Sequence, residues 1–349
     1  MLFLDAQSRS VAFWLALEEY VHTQVSSPAV SSAGDCDTAE RRIGADGVVF
    51  VWQPTVPTIV FGRNQVPEAE FDIERARREG VTLVRRPSGG GAIYADGGTL
   101  FYSLLLPFEA GASPSDTLRQ GAEPLVRALR RLGVAAKLCG RNDLELAGSK
   151  ISGFAQYVHN GVFCAHCTLL YDTDLTALGS LLRPDREKYQ SKALKSVRSR
   201  VTNIASHLPD APDTLDFRAR LQEALLQELP HAQKQELGAE DVAAVEALRV
   251  KRFEDPAWLW GKTPPFSYRN KQRFAGGSLE VLLDVKQGVI ANCSLRGDFL
   301  GLLPVEELEQ HLVDVRYERK ELASALKPIN LPQYLGTITT TELLTVLFR

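Results

Sequence analysis

Apolar residues recur at helical spacing across Val11–Gln24, which predicts a first helix carrying Glu18 and Glu19. The chain ahead of it, from Met1, reads as a strand. Residues 26–47 are rich in Ser, Ala, Gly and Asp with no apolar period and read as a surface loop. Unbroken apolar runs at 48–53 and 58–62 predict buried strands split by a Pro-containing turn. Residues 67–79 read as one charged amphipathic helix, with Pro67 near its start and Gly80 beyond its end. Strands are expected at 81–86, 92–94 and 100–106. A Ser-Pro-Ser-Asp cap at 113–116 opens a helix that ends at Gly133. Residues 144–156 read as a hairpin turning at Gly148-Ser149, and 161–170 as a further strand. Residues 208–247 look helical and charged, with Pro breaks. Past Phe253 the composition changes, with Trp258, Trp260, a turn at 261–265 and a strand-like run at 278–285. Two units are therefore expected, a larger one over 1–250 and a smaller α+β one over 251–349.

The 349 residues are 44% hydrophobic and 24% charged, which excludes a mostly disordered or collagen-like chain. A net charge of −3 gives no global attraction for nucleic acid. No apolar run approaches the ~20 residues of a membrane span. The N-terminus lacks the basic region of a signal peptide, and five cysteines are an odd, sparse set. A cytoplasmic protein without a disulfide framework is the expectation.

Three blocks carry candidate chemistry. The first is Arg85-Arg86-Pro87-Ser88-Gly89-Gly90-Gly91. Successive glycines weaken a strand-rich region, and their amides can converge on an anion. Two arginines at the edge add donors for phosphate or carboxylate. A β-bulge or long hairpin turn flanked by surface arginines fits the same residues. Neither a Walker A loop nor a dinucleotide fingerprint is present, because no Gly-Lys-Ser/Thr follows and a strand, not a helix, comes next. The second block runs from Gly140-Arg141-Asn142-Asp143 to Ser149-Lys150-Ile151-Ser152-Gly153. Small residues around Lys150 leave room for a ligand beside the ammonium. Asn142 and Asp143 suit a turn, or a hydroxyl or Mg²⁺ contact. The third is Cys164-Ala165-His166-Cys167-Thr168, where Cys164 and His166 share a strand face. Buried thiols beside a cleft histidine fit it better than a metal cage, since no second Cys/His cluster exists.

In this order the blocks resemble the lipoate–protein ligase A family, whose pattern is Arg-Arg-x-Ser-Gly-Gly-Gly, Gly-Arg-Asn-Asp with a Lys-Ile-Ser-Gly hairpin, and His-x-Thr-Leu-Leu. Trp52-Gln53, Gly62-Arg63-Asn64-Gln65 and Ser196–Asn203 match as well, the last resembling the adenylate-binding loop. Trp258, Trp260, Gly297-Asp298-Phe299 and Tyr334 resemble the C-terminal accessory domain. Departures are Ala95 and Thr99 after the glycine block, Cys167 for Gly, Trp14 for Asn, and the added residues 26–47. The resemblance implies an α+β fold: a mixed or antiparallel sheet flanked by helices, the biotin/lipoyl ligase catalytic fold, over 1–250, with an accessory domain over 251–349.

It also implies ATP-dependent activation of free lipoate to lipoyl-AMP, then transfer to a lysine of apo lipoyl-carrier domains, such as E2 subunits of 2-oxoacid dehydrogenases or the glycine cleavage H protein. Mg²⁺ would accompany ATP, and a monomer is expected. Lys150 would be the catalytic residue. Arg86, Ser88, Gly89, Gly90, Gly91, Ala92, Ile93, Tyr94, Asn142, Asp143, Ser152 and His166 would bind ATP or lipoyl-AMP, with Asp143 the candidate Mg²⁺ contact and no protein-built metal cage. Lys195, Arg198 and Arg200 are the adenylate-loop candidates. One rival is a cysteine-dependent octanoyl or lipoyl transferase using Cys139. Another is a degenerate binder of lipoyl-AMP or lipoyl domains. A biotin ligase is disfavoured by the absence of its Gly-Arg-Gly-Arg signature.

Overall fold

The computed structural model describes residues 1–5, 9–24, 46–65, 67–181, 201–229, 231–260, 267–286 and 288–348. The residues 26–45 of the expected loop, the turn at 261–265, and Lys195, Arg198 and Arg200 lie outside them.

Apolar runs too uniform for a one-sided sheet form the centre of the molecule. β1 (Leu2–Asp5), β2 (Val48–Trp52), β6 (Thr99–Pro107), β9 (Ser149–His159) and β10 (Val162–Leu170) belong to one eight-stranded sheet. Its order is β11-β1-β2-β6-β10-β9-β8-β7, with β7 at Lys137–Cys139, β8 at Asp143–Leu146 and β11 at Gln233–Glu236. β1 runs parallel to both neighbours; β2, β6, β10, β9, β8 and β7 are antiparallel in turn. The sheet is thus mixed and covered on both faces, as continuous Val/Leu/Phe strands require.

On one face lie α4 (Pro114–Arg131) and α6 (Thr214–Glu228), packed over Phe154, Phe163 and Leu169. On the other lie α1 (Val11–Gln24) and α7 (Ala239–Leu248), packed over Trp52 and Tyr157. α1 is apolar nearly all round because it is buried nearly all round. A smaller sheet, β3 (Thr58–Phe61) between β4 (Thr82–Arg85) and β5 (Ile93–Ala95), carries the glycine block between its last two strands.

The expected helix over 67–79 is two pieces, α2 (Pro67–Glu70) and α3 (Ile73–Arg78). Phe71 turns wholly inward between them, and the Asp72 carboxylate caps the second by accepting from Arg75 N at 3.0 Å. The expected helical run 208–247 is α6, the polar strand β11, then α7. Beyond α7 a π-helical turn, Arg249–Phe253, leads to α8 (Pro256–Trp260). Phe253 and Trp258 pack with α1, and Leu259 packs with Phe61 and Phe71. We therefore place the domain boundary after α8, about ten residues beyond the expected one.

The second domain is a β-meander, β12 (Tyr268–Phe274), β13 (Gly277–Lys286) and β14 (Val289–Gly297). Helices α9 (Val305–Leu312), α10 (Arg319–Leu326), α11 (Leu331–Leu335) and α12 (Thr340–Leu347) close one core around it. Its segment 297–303 lies against the first domain. Gly297 N donates to Asn64 O at 2.9 Å, Val158 N donates to Leu302 O at 2.8 Å, and Leu302 enters the core beneath α4.

Candidate active site

Lys150 owes its direction to an irregularity in β9. β8 pairs Asp143 with Gly153 and Leu144 with Ser152, but Glu145 with Lys150, so Ile151 is an extra residue. Such a bulge changes which face the following side chains take. Ile151, Phe154 and Val158 fill the core under α4, while Tyr157 faces α1. Alternation puts Gly153 and Ala155 on the Tyr157 side, and the bulge brings Lys150 to that side too. Lys150 Nζ stands 2.7 Å from Asp143 Oδ1. A Cβ on Gly153 would lie 3.0 Å from Nζ, so glycine keeps the space the ammonium uses. Opposite Gly153, Ala155 and Tyr157, β10 presents Thr168, His166 and Cys164. A row thus runs from a lysine that is 38% exposed to a fully buried end. The chain also returns to Lys150 from residues 182–200: Val201 bridges it and Thr202 N donates to its carbonyl at 3.0 Å.

The glycine block sits over the buried end of this row. Arg86 is buried, which lowers its pKa to about 10. Its guanidinium donates to Gly89 O (2.7 Å), Gly91 O (2.8 Å), Val60 O (3.2 Å) and Ser88 Oγ (3.1 Å). Arg86 therefore builds the loop from within. Ser88 Oγ is 2.7 Å from His166 Nε2. Gly90 has φ +90°, a conformation costly for a side chain. Its N–H points at Phe299 O of the second domain (3.3 Å), and a Cβ on Gly89 would come 2.4 Å from that same oxygen. Two of the three glycines thus serve a close approach between domains. Gly91 has open space where a side chain would be, and Ala92 and Ile93 are half-buried beyond it. The Tyr94 ring packs with Ile59 and Phe61, and burial pushes its hydroxyl up to about 12.

Asn142 brackets β9: its Nδ2 donates to Phe154 O at 2.5 Å, and its carbonyl accepts from Phe154 N at 2.8 Å. It shapes the hairpin. Ser152 falls on the opposite face from Lys150, beside Cys167, whose thiol burial pushes up to about 12. Its expected place next to the ammonium is thereby corrected. Arg141 donates to Gly276 O, a further tie to the second domain.

Cys139 lies on edge strand β7 opposite Asp143. Local desolvation, then the carboxylate of Glu145, raise its pKa. That is the reverse of an activated thiolate. Glu18 was read only as a charge on the first helix. The structure buries it against His166, with Nδ1 2.9 Å from Oε2. Glu18, Cys164 and His166 bring ligand-capable atoms within 4.8 Å of one another. An acid in the middle of an otherwise apolar helical stretch is the signal the sequence offers.

Residues 10–226 match the family model described as the lipoyl protein ligase A/B catalytic domain, and residues 263–347 match that of the bacterial lipoate protein ligase C-terminus. The chain is 34% identical to the lipoate-protein ligase LplJ of Bacillus subtilis, covering all of both chains. It is 32% identical to a lipoate–protein ligase of Streptococcus pyogenes, covering 93% of this chain and 96% of the other. In fold it resembles P. falciparum LipL1, solved in complex with lipoate, with a TM-score of 0.72, 21% identity and 94% of each chain covered. It also resembles a lipoate-protein ligase A bound with ATP, with a TM-score of 0.59, 22% identity, and 74% and 98% covered. With the mixed sheet, the Lys150 hairpin and the added C-terminal domain all in place, the chain belongs to the lipoate–protein ligase family and is a ligase.

Proposed function

We propose that the chain joins free lipoate to a lysine of an apo lipoyl domain in two half-reactions. A lipoate carboxylate oxygen attacks the α-phosphorus of ATP, the bond to the β-phosphate oxygen breaks, and pyrophosphate leaves. The acceptor lysine then attacks the acyl carbon of lipoyl-AMP, forming an amide and releasing AMP. The observation that carries this reading is the bulge that turns Lys150 onto the face shared with Ala155 and His166.

Two anions must meet in the first step, so a positioned cation lowers the barrier most directly. Lys150 is that cation, held by Asp143 until the substrates compete for it. From Lys150 to Ala155 is five residues of strand, about 16 Å at ordinary rise, a span that matches an extended acyl chain with its dithiolane toward the buried end. Mg²⁺ arrives on the ATP phosphates, as is usual for this ion, and supplies charge neutralisation of the leaving group. Asp143, 2.7 Å from Lys150 Nζ, offers a carboxylate that could join it. Acceptors are apo lipoyl domains of E2 subunits or the glycine cleavage H protein, and the enzyme works as a cytoplasmic monomer. Lys195, Arg198 and Arg200 are the residues proposed to contact the adenylate; in support, the chain re-enters at Val201 beside Lys150.

The deciding experiment mixes purified protein, ATP, Mg²⁺, lipoate and an apo lipoyl domain, and reads the acceptor's mass. Addition of one lipoyl group, with none when ATP is omitted, is the expected result. Transfer without ATP from an acyl donor would overturn the adenylate step.

A further inference from the structure

The half-reactions proposed above leave one buried acid without a task. Glu18 is 1% exposed, and its carboxylate is surrounded by donors. Ser103 Oγ donates to Oε1 at 2.6 Å, and His166 Nδ1 lies 3.0 and 2.9 Å from the two oxygens. The other ring nitrogen is 2.7 Å from Ser88 Oγ, which in turn accepts from Arg86 Nε at 3.1 Å.

A carboxylate only accepts, so beside it a neutral imidazole would carry its proton on Nδ1 and leave Nε2 as an acceptor. The Ser88 hydroxyl then donates to Nε2 while its lone pair takes the Arg86 N–H. Each proton in the chain has a single place, and all four side chains are buried. The run ends where Arg86 Nη2 grips the carbonyls of Gly89 and Gly91.

We infer that Glu18 is a positioning residue for adenylate formation: it fixes the tautomer of His166 and, through Ser88 and Arg86, the shape of the glycine loop that receives the substrates. The inference rests on the proposed activity for its kinetic consequence, but its structural core does not. Glu18 touches no reacting atom. Its effect passes along three hydrogen bonds to a loop whose Gly90 conformation needs outside support.

The test has two arms. Without any substrate, long-range ¹H–¹⁵N correlation of His166 in the wild-type protein should show Nδ1 protonated and Nε2 bare. Glu18→Met, which removes the acceptor but keeps the length, should lose that preference. In the kinetic arm the same variant should raise KM for lipoate or ATP about tenfold, the scale expected when a buried donor loses its partner. Glu18→Gln, which keeps an acceptor oxygen, should recover most of the loss. Ser88→Ala, which cuts the chain further along, should show a comparable KM effect and stands in if the Met variant fails to fold. An Nε2–H tautomer in the wild type would overturn the inference, as would a folded Glu18→Met protein with unchanged KM or a Gln variant as impaired as Met. A wild-type enzyme that shows the expected tautomer yet makes no lipoyl-AMP would instead sink the proposed function.

Discussion

At the scale of single residues, short-range relations were legible and long-range ones were not. Lys150 stands out because its glycines and serines are within three positions, so the hairpin that frames it can be read directly. Glu18 could not be paired from sequence, since His166 lies 148 positions away and Ser88 a further 78 back from His166. Arg86 shows the same limit: a guanidinium next to glycines suits a phosphate, and it also suits the glycine carbonyls it meets here. Lys150→Ala is expected to slow adenylate formation about 10²–10³-fold, the usual cost of losing one preorganised charge donor. Pyrophosphate release at saturating lipoate and ATP measures it, and the half-open site predicts no loss of fold. A different residue sets a pH dependence of stability. Glu309 in α9 has its pKa raised to about 7, chiefly by burial, although Leu295 N donates to it at 2.7 Å. Its folded pKa lies above its unfolded one of 4.5. Its contribution is therefore full at low pH and is lost as pH rises from there through about 7. Glu309→Gln should remove on the order of 2 kcal/mol of the wild-type decline between roughly pH 5 and 8. Urea unfolding of both proteins at the two pH values checks it; parallel declines would refute it.

At the scale of elements, periodicity found what packing makes periodic. The buried strands and α4 announced themselves through apolar content and a Ser-Pro cap. β11 did not, because its sequence is Gln-Lys-Gln-Glu and every residue is exposed. It is a strand only because β1 offers it an edge. The bulge in β9 was also silent: no residue type demands it, and it exists because Ile151 must reach the core while Lys150 must not. α4 illustrates the opposite case, where local chemistry decides. Ser113 Oγ accepts from Asp116 N at 3.2 Å at its first turn. Ser113→Ala should cost about 1 kcal/mol in chemical denaturation while leaving ligase turnover intact, because α4 lies on the face away from Lys150.

At the scale of the molecule, the glycine block belongs to two domains at once. The sequence suggested a ligand cradle, yet Gly89 and Gly90 are where the backbone of 297–303 comes to rest. Gly89→Ala puts a methyl 2.4 Å from Phe299 O, so the domains must part locally. Hydrogen exchange should accelerate at Gly90 and Leu302 in that variant, with the β13 core unaffected; equal exchange throughout would show that the contact is dispensable.

The parallel pairing of β1 carries a consequence for how the chain is made. Leu2 and Phe3 lie between Val48 and Val49 on one side and Gln233 and Lys234 on the other. A ribosome delivers those first strand residues long before their second neighbour exists. Through most of synthesis the N-terminal strand has one open flank, whose N–H and C=O groups are a template for another nascent chain. Closure waits for a four-residue strand made only of polar, exposed side chains, which has little hydrophobic pull of its own. The slow, sequence-distant step of folding is therefore the pairing of β1 with β11, more than 220 positions apart.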